Sequence, residues 1–84
     1  MTAPVVTLYG RDGCHLCDQA WAVLERVRAQ HPFELRAVDI ESDDALLKRY
    51  LERIPVIALG EEELFDFFVD EDALLARLDL ESAP

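Results

Sequence analysis

Two cysteines three positions apart, Cys14 and Cys17, directly follow the segment Val5-Val6-Thr7-Leu8-Tyr9-Gly10. This arrangement constrains the chain more than any other feature. β-Branched and aromatic residues make Val5 to Tyr9 a buried strand, and Gly10 ends it. From Cys14 to about Gln30 the apolar positions Leu16, Ala20, Val23, Leu24 and Val27 recur at helical spacing. Cys14 is therefore expected just behind a strand and in the first turn of a helix. There, unpaired backbone N–H groups and the positive end of the helix dipole face its sulfur. Both favour the thiolate, which is the attacking species. A cysteine three residues on reaches the first sulfur and can resolve a mixed disulfide from within the protein. Arg11 and, when protonated, His15 support the thiolate; Asp12 and the acidic second half of the chain oppose it.

Two other readings of the pair compete. A zinc site needs about four ligands, and the only other soft donors are His31 and His15, the latter inside the motif itself. Inert core cysteines are the second alternative, but a glycine before Cys14 and a helix start at it argue against them. A bridge across so short a loop would constrain the unfolded chain little, so its purpose is expected to be chemical rather than structural.

His31-Pro32 ends the first helix, because a residue before proline resists the α region. Phe33, Leu35, Ala37 and then Val38-Asp39-Ile40 suggest a second strand. Ser42-Asp43-Asp44 offers an N-cap and acidic first-turn residues for a helix to about Leu51. Pro55 opens the short strand Val56-Ile57-Ala58-Leu59. Gly60 with Glu61, Glu62 and Glu63 reads as a turn, and Leu64 to Phe68 as the hairpin partner. Asp70-Glu71-Asp72 begins a last helix with Ala73, Leu74, Leu75 and Leu78 on its apolar face, and residues 79–84 read as a frayed tail. The order is β-α-β-α-β-β-α: an α/β fold with a four-stranded mixed sheet and three helices, formed by residues 1–84 as a single domain. The first β-α-β unit should be a right-handed parallel crossover, and the last two strands antiparallel.

The 84 residues carry a net charge of −10, unevenly spread. Residues 1–40 have four basic and five acidic side chains, residues 41–84 four basic and thirteen acidic. Such a surface repels nucleic acid and anionic membranes, so neither is an expected partner. It keeps a small protein soluble, or it steers the chain toward a basic partner protein. The start Met1-Thr2-Ala3-Pro4 lacks the basic and apolar runs of a signal peptide. A cytoplasmic monomer is expected, with its dithiol mostly reduced.

At this point the chain resembles the glutaredoxins and, more loosely, the thioredoxins. Gly10-Arg11-Asp12-Gly13-Cys14-x-x-Cys17 is similar to the glutaredoxin active-site segment, including its basic residue three before the first cysteine. Arg53-Ile54-Pro55-Val56-Ile57 is similar to the segment that holds the superfamily's cis-proline. The order of elements matches the minimal glutaredoxin fold over about residues 4–78. The resemblance implies a cis Ile54–Pro55 bond beside the sulfurs, which would offer the N–H and C=O of Ile54 to an extended thiol substrate. It also implies substrate contacts by Arg11, His15, Leu16 and Arg53. Two departures stand out. The family usually has Pro-Tyr between the cysteines, where this chain has His15-Leu16. It usually has Gly-Gly before the last helix, where this chain has Phe65-Asp66-Phe67-Phe68-Val69. Those bulky side chains are expected to fill part of the glutathione groove. Asp70 or Asp72 either meets the amine of a glutathione γ-glutamyl group or serves as a helix N-terminal acid.

The expected activity is thiol–disulfide exchange with Cys14 as nucleophile and Cys17 as resolving residue. No cofactor is bound in this reading; glutathione is a candidate co-substrate, and a disulfide-bearing protein or glutathione mixed disulfide the candidate partner. A non-catalytic adaptor and a dimer bridged by a [2Fe–2S] cluster are the alternatives. Trp21, one helical turn past Cys17, is expected to pack or to touch substrate. Tyr9 is expected in the core, Tyr50 on the second helix near the Pro55 loop. Phe65, Phe67 and Phe68 are expected mostly as core and hairpin residues, although one of them exposed beside Pro55 would form an apolar docking patch.

Overall fold

A computed structural model of the chain describes residues 3–82. Its elements run β1 (Val5–Gly10), α1 (His15–Gln30), β2 (Glu34–Asp39), a 3-10 turn (Ile40–Ser42), α2 (Asp44–Tyr50), β3 (Val56–Leu59), β4 (Glu62–Asp66) and α3 (Glu71–Ser82). The four strands form one sheet in the order β2-β1-β3-β4. β1 runs parallel to β2, and β3 is antiparallel to both β1 and β4. This is the expected mixed sheet with three helices, a thioredoxin-like fold.

The central strands are apolar because both faces of the sheet are covered. On one face Val6, Leu8, Ile57 and Leu59 pack with Ala20, Leu24 and Val27 of α1 and with Leu74 and Leu78 of α3. On the other, Ile40, Tyr50 and Val56 form a second, smaller cluster that Tyr9, Leu46, Leu47 and Ile54 join. All four residues of β3 are buried, whereas β2, at the sheet edge, alternates only loosely.

The hairpin differs from the sequence reading. β4 spans Glu62–Asp66 rather than 64–68, since Leu59 pairs with Glu62 and only Gly60 and Glu61 make the turn. The glutamates join the strand because their carboxylates have partners: Glu62 binds Arg77, and Glu63 binds Arg49 and Arg53. A bulge between Ile57 and Ala58 absorbs the extra residue. The strand stops at Asp66 because Phe67 turns into the left-handed region, φ 68°.

The C-terminal reading also needs correction. Residues 79–82 are not a frayed tail; α3 continues through Ser82. Leu78 is fully buried, Arg77 bridges Glu62 and Glu81, and Asp79 lies 3.3 Å from the imidazole of His31. These contacts tie the last turn to the rest of the molecule. The remainder of the expected tail, residues 83 and 84, lies outside the described residues, as do Met1 and Thr2. Among the described residues no helix is long and apolar enough to cross a membrane.

Candidate active site at the Cys14–Cys17 pair

Cys14 is the N-cap of α1, with extended backbone angles before the helix begins at His15. Its Sγ accepts the backbone N–H of Cys17 at 3.1 Å, and its carbonyl accepts the N–H of Asp18 at 3.1 Å. The sulfur stands where a serine or aspartate oxygen usually caps a helix. A negative charge there is stabilised by the same N–H and by the helix dipole. The two cysteines are joined as a disulfide, with Cα atoms 5.2 Å apart. Cys14 is half-buried and Cys17 is buried, so Cys14 is the more accessible of the two.

Gly13 delivers Cys14 to this position with φ 77°, a conformation costly for side-chain-bearing residues. Gly10 does something the sequence reading missed. A Cβ built on it would lie 2.8 Å from the Sγ of Cys17 and 3.1 Å from Leu8 Cδ2. The end of β1 thus passes directly against the Cys17 sulfur, and only a glycine fits. Its only signal in the sequence is a strand-ending glycine four residues before the first cysteine, which by itself indicates no more than a strand end.

The sheet register brings Pro55 to the same end of the molecule. Tyr9 pairs with Val56, which puts Pro55 level with Gly10 and hence near the sulfurs. The Ile54–Pro55 peptide bond is cis. Arg53 N–H donates to Tyr50 O, and Pro55 O accepts from Phe67 N–H. Between them, the Ile54 backbone forms no hydrogen bond among the described residues.

The other residues implicated by the sequence divide into two groups. Leu16, His15 and Arg11 lie beside the pair. His15 is exposed, and Leu16 is half-buried in a small groove with Gln19, Ala20, Val23, Phe67, Phe68 and Val69. Arg11 borders a cleft of about 210 Å³ that reaches Cys17 between Asp12, Asp18, Trp21 and Asp39. Its guanidinium points to Glu41 at 3.4 Å. Trp21 lines the same cleft and donates its indole N–H to Glu25 at 2.8 Å.

Arg53 and Asp70 already have partners within the protein. Arg53 reaches Asp66 with two nitrogens at 3.1 Å and Glu63 at 2.5 Å, and lies over the ring of Tyr50. Glu63 also accepts from the Tyr50 hydroxyl at 3.0 Å and from Arg49 at 2.8 Å. Hydrogen bonds from Arg53, then from Tyr50, with a further one from Arg49, hold the Glu63 carboxyl down to about 2. Burial, with the bond to Glu63 adding to it, pushes the Tyr50 phenol up. Tyr50 in turn stacks on Tyr9, with ring centroids 4.6 Å apart. This network escaped the sequence reading because Glu61 to Glu63 looked like solvated turn residues. Asp70 acts as a helix-capping acid: Ala73 N–H donates to its Oδ1 at 3.1 Å and Leu74 N–H to its carbonyl at 3.0 Å.

Phe67 is the unusual backbone position. A bulky residue at positive φ costs about 1 kcal/mol or more relative to glycine. Its N–H, bound to Pro55 O at 2.7 Å, holds it there. The neighbouring Phe68 is 67% exposed and Phe67 41%. Phe65, in contrast, packs on the core.

Fold and site together define a thioredoxin-like protein with a Cys-x-x-Cys pair at a helix N-terminus. Within that class the chain belongs to the glutaredoxin-like family, since residues 5–79 match the Glutaredoxin-like domain (DUF836). Protein Ne2328 from Nitrosomonas europaea, known from a solution structure, is 32% identical over 92% of this chain and 93% of its own, with a TM-score of 0.81. Protein XcR50 from X. campestris, known from an X-ray structure, is 40% identical over 94% of this chain and 99% of its own, with a TM-score of 0.72. A mutant thioredoxin from Halobacterium salinarum shares the fold at 22% identity, covering 99% of this chain and 78% of its own, with a TM-score of 0.68. No curated protein matches the chain.

Proposed function

We propose that the protein is a thiol–disulfide oxidoreductase whose nucleophile is Cys14. The observation that carries this reading is the position of the Cys14 sulfur. It caps α1, accepts the Cys17 N–H, and is the more accessible of the pair. The Cys14 thiolate attacks one sulfur of a substrate disulfide, and the other sulfur leaves as a thiolate that takes up a proton. Cys17 then loses its proton and attacks Cys14 Sγ, expelling the second substrate sulfur. Two electrons have passed to the substrate, and the protein ends with the Cys14–Cys17 disulfide. External thiol, from glutathione or a reductase, returns it to the dithiol in a reducing compartment such as the cytoplasm.

Cys14→Ser should abolish turnover of a disulfide substrate, and Cys17→Ser should accumulate the mixed disulfide, visible by mass spectrometry. Turnover retained by Cys14→Ser would refute the reading.

A further inference from the structure

The groove beside the dithiol and the charges around it bear on which disulfides it accepts. We infer that the substrate is a polypeptide disulfide whose cysteine is flanked by apolar and basic side chains, and that oxidised glutathione is a poor substrate. The inference rests on the redox reading above and names the substrate class of the same site.

A groove of about 110 Å³ is lined by Leu16, Ala20, Val23, Phe67, Phe68 and Val69, with Gln19 as its polar member. The groove takes in Leu16, which lies between the two cysteines in the sequence. It also adjoins the Pro55 end of the sheet, because Phe67 N–H binds Pro55 O. Phe68 has most of its ring in water in the free protein, and Phe67 nearly half. Exposed large apolar side chains next to a reactive group gain by covering themselves with an apolar partner. Glutathione has no side chain larger than its cysteine to offer them. A polypeptide lying along the unpaired Ile54 backbone can bring neighbouring apolar residues to this groove.

Charge bears on which polypeptide. Asp12 and Asp18 flank the cysteines in sequence, are exposed, and form no ion pair among the described residues. Asp70 and Asp72 stand exposed at the start of α3, just past the groove. The two nearby arginines are already paired, Arg11 with Glu41 and Arg53 with Glu63 and Asp66. The field at the mouth of the site is therefore negative, as is the whole chain at −10. Glutathione bears two carboxylates against one ammonium in each half and is repelled by that field; a lysine or arginine beside the substrate cysteine is drawn in.

The test is stopped-flow oxidation of the reduced protein, followed by the fluorescence of Trp21, which lines the cleft reaching Cys17. Three probes are compared at low ionic strength. They are oxidised glutathione, a symmetric peptide disulfide with Leu and Lys flanking its cysteine, and the same peptide with Ser and Glu in those places. The Leu/Lys peptide should react about tenfold faster than either of the others, and added salt should shrink the margin over the Ser/Glu peptide. Phe68→Ser should lower the ratio of the Leu/Lys peptide rate to the glutathione rate; Phe68 is largely exposed, so the fold survives its replacement. Equal rates for all three probes, or a ratio untouched by Phe68→Ser, would overturn the inference while leaving disulfide exchange at Cys14 standing. No reaction with any probe would remove the redox reading and this inference with it.

Discussion

Replacing Gly10 with alanine isolates the contact between the end of β1 and Cys17. Two effects oppose each other. Alanine reduces the freedom of the unfolded chain, which stabilises by about 0.4–1 kcal/mol where the native backbone suits it. Against that, the new Cβ would sit 2.8 Å from Cys17 Sγ, 3.1 Å from Leu8 Cδ2 and 3.3 Å from Cys17 Cβ. Ordinary contacts between such atoms lie near 3.5–4.0 Å. Leu8 can yield by a rotation of its terminal methyl, but the sulfur is buried at the start of a helix and has little room. Overpacking of this kind costs about 1–3 kcal/mol, so the clash should win by about 1–2 kcal/mol. In a domain of this size that lowers Tm by roughly 4–16 °C. Urea unfolding of the reduced protein measures it directly, and the control is the same change in a Cys17→Ala background. With the sulfur gone, most of the penalty should vanish, giving a coupling of at least about 1 kcal/mol between the two sites. A Gly10→Ala protein as stable as the wild type, or a penalty that persists without the Cys17 sulfur, would refute the reasoning.

Other outcomes follow from the ion pairs and caps. Glu63→Gln should cost about 1 kcal/mol at neutral pH, the upper end for a surface pair, because two guanidiniums and a phenol converge on this carboxylate. Its folded-state value of about 2 lies below the ordinary 4.5, so its stabilisation is present above the unfolded value and fades as pH falls toward 2. Urea midpoints of wild type and Glu63→Gln should converge on acidification, and a constant gap would contradict this. Asp70→Ala should cost about 1 kcal/mol through loss of the α3 cap. If its effect on disulfide exchange exceeds its effect on stability, Asp70 also contacts substrate; thermal melts and exchange rates on the same samples distinguish the two.

Local patterns carried much of this protein. The apolar spacing of Leu16, Ala20, Leu24 and Val27 was enough to place α1, because helix periodicity repeats within a few residues. The place of Cys14 at the N-terminal end of α1 and the reach of Cys17 to it were likewise readable, since both depend on residues at most three apart; that Cys14 caps the helix from outside it is a finding of the structure. What the sequence could not reveal were contacts between segments distant along the chain. Gly10 looked like a strand end until the packing of β1 against α1 put it against the Cys17 sulfur. The glutamates after Gly60 looked like a turn until Arg49, Arg53 and Arg77 drew them into β4, which shifted that strand by two residues. Asp79 and its neighbours looked frayed until contacts with His31 and Glu62 held α3 together. Apolar character alone puts Phe67 and Phe68 in the core and hairpin, yet both are exposed. Their exposure was decided by the left-handed turn at Phe67 and its bond to Pro55, a tertiary contact that no local pattern encodes.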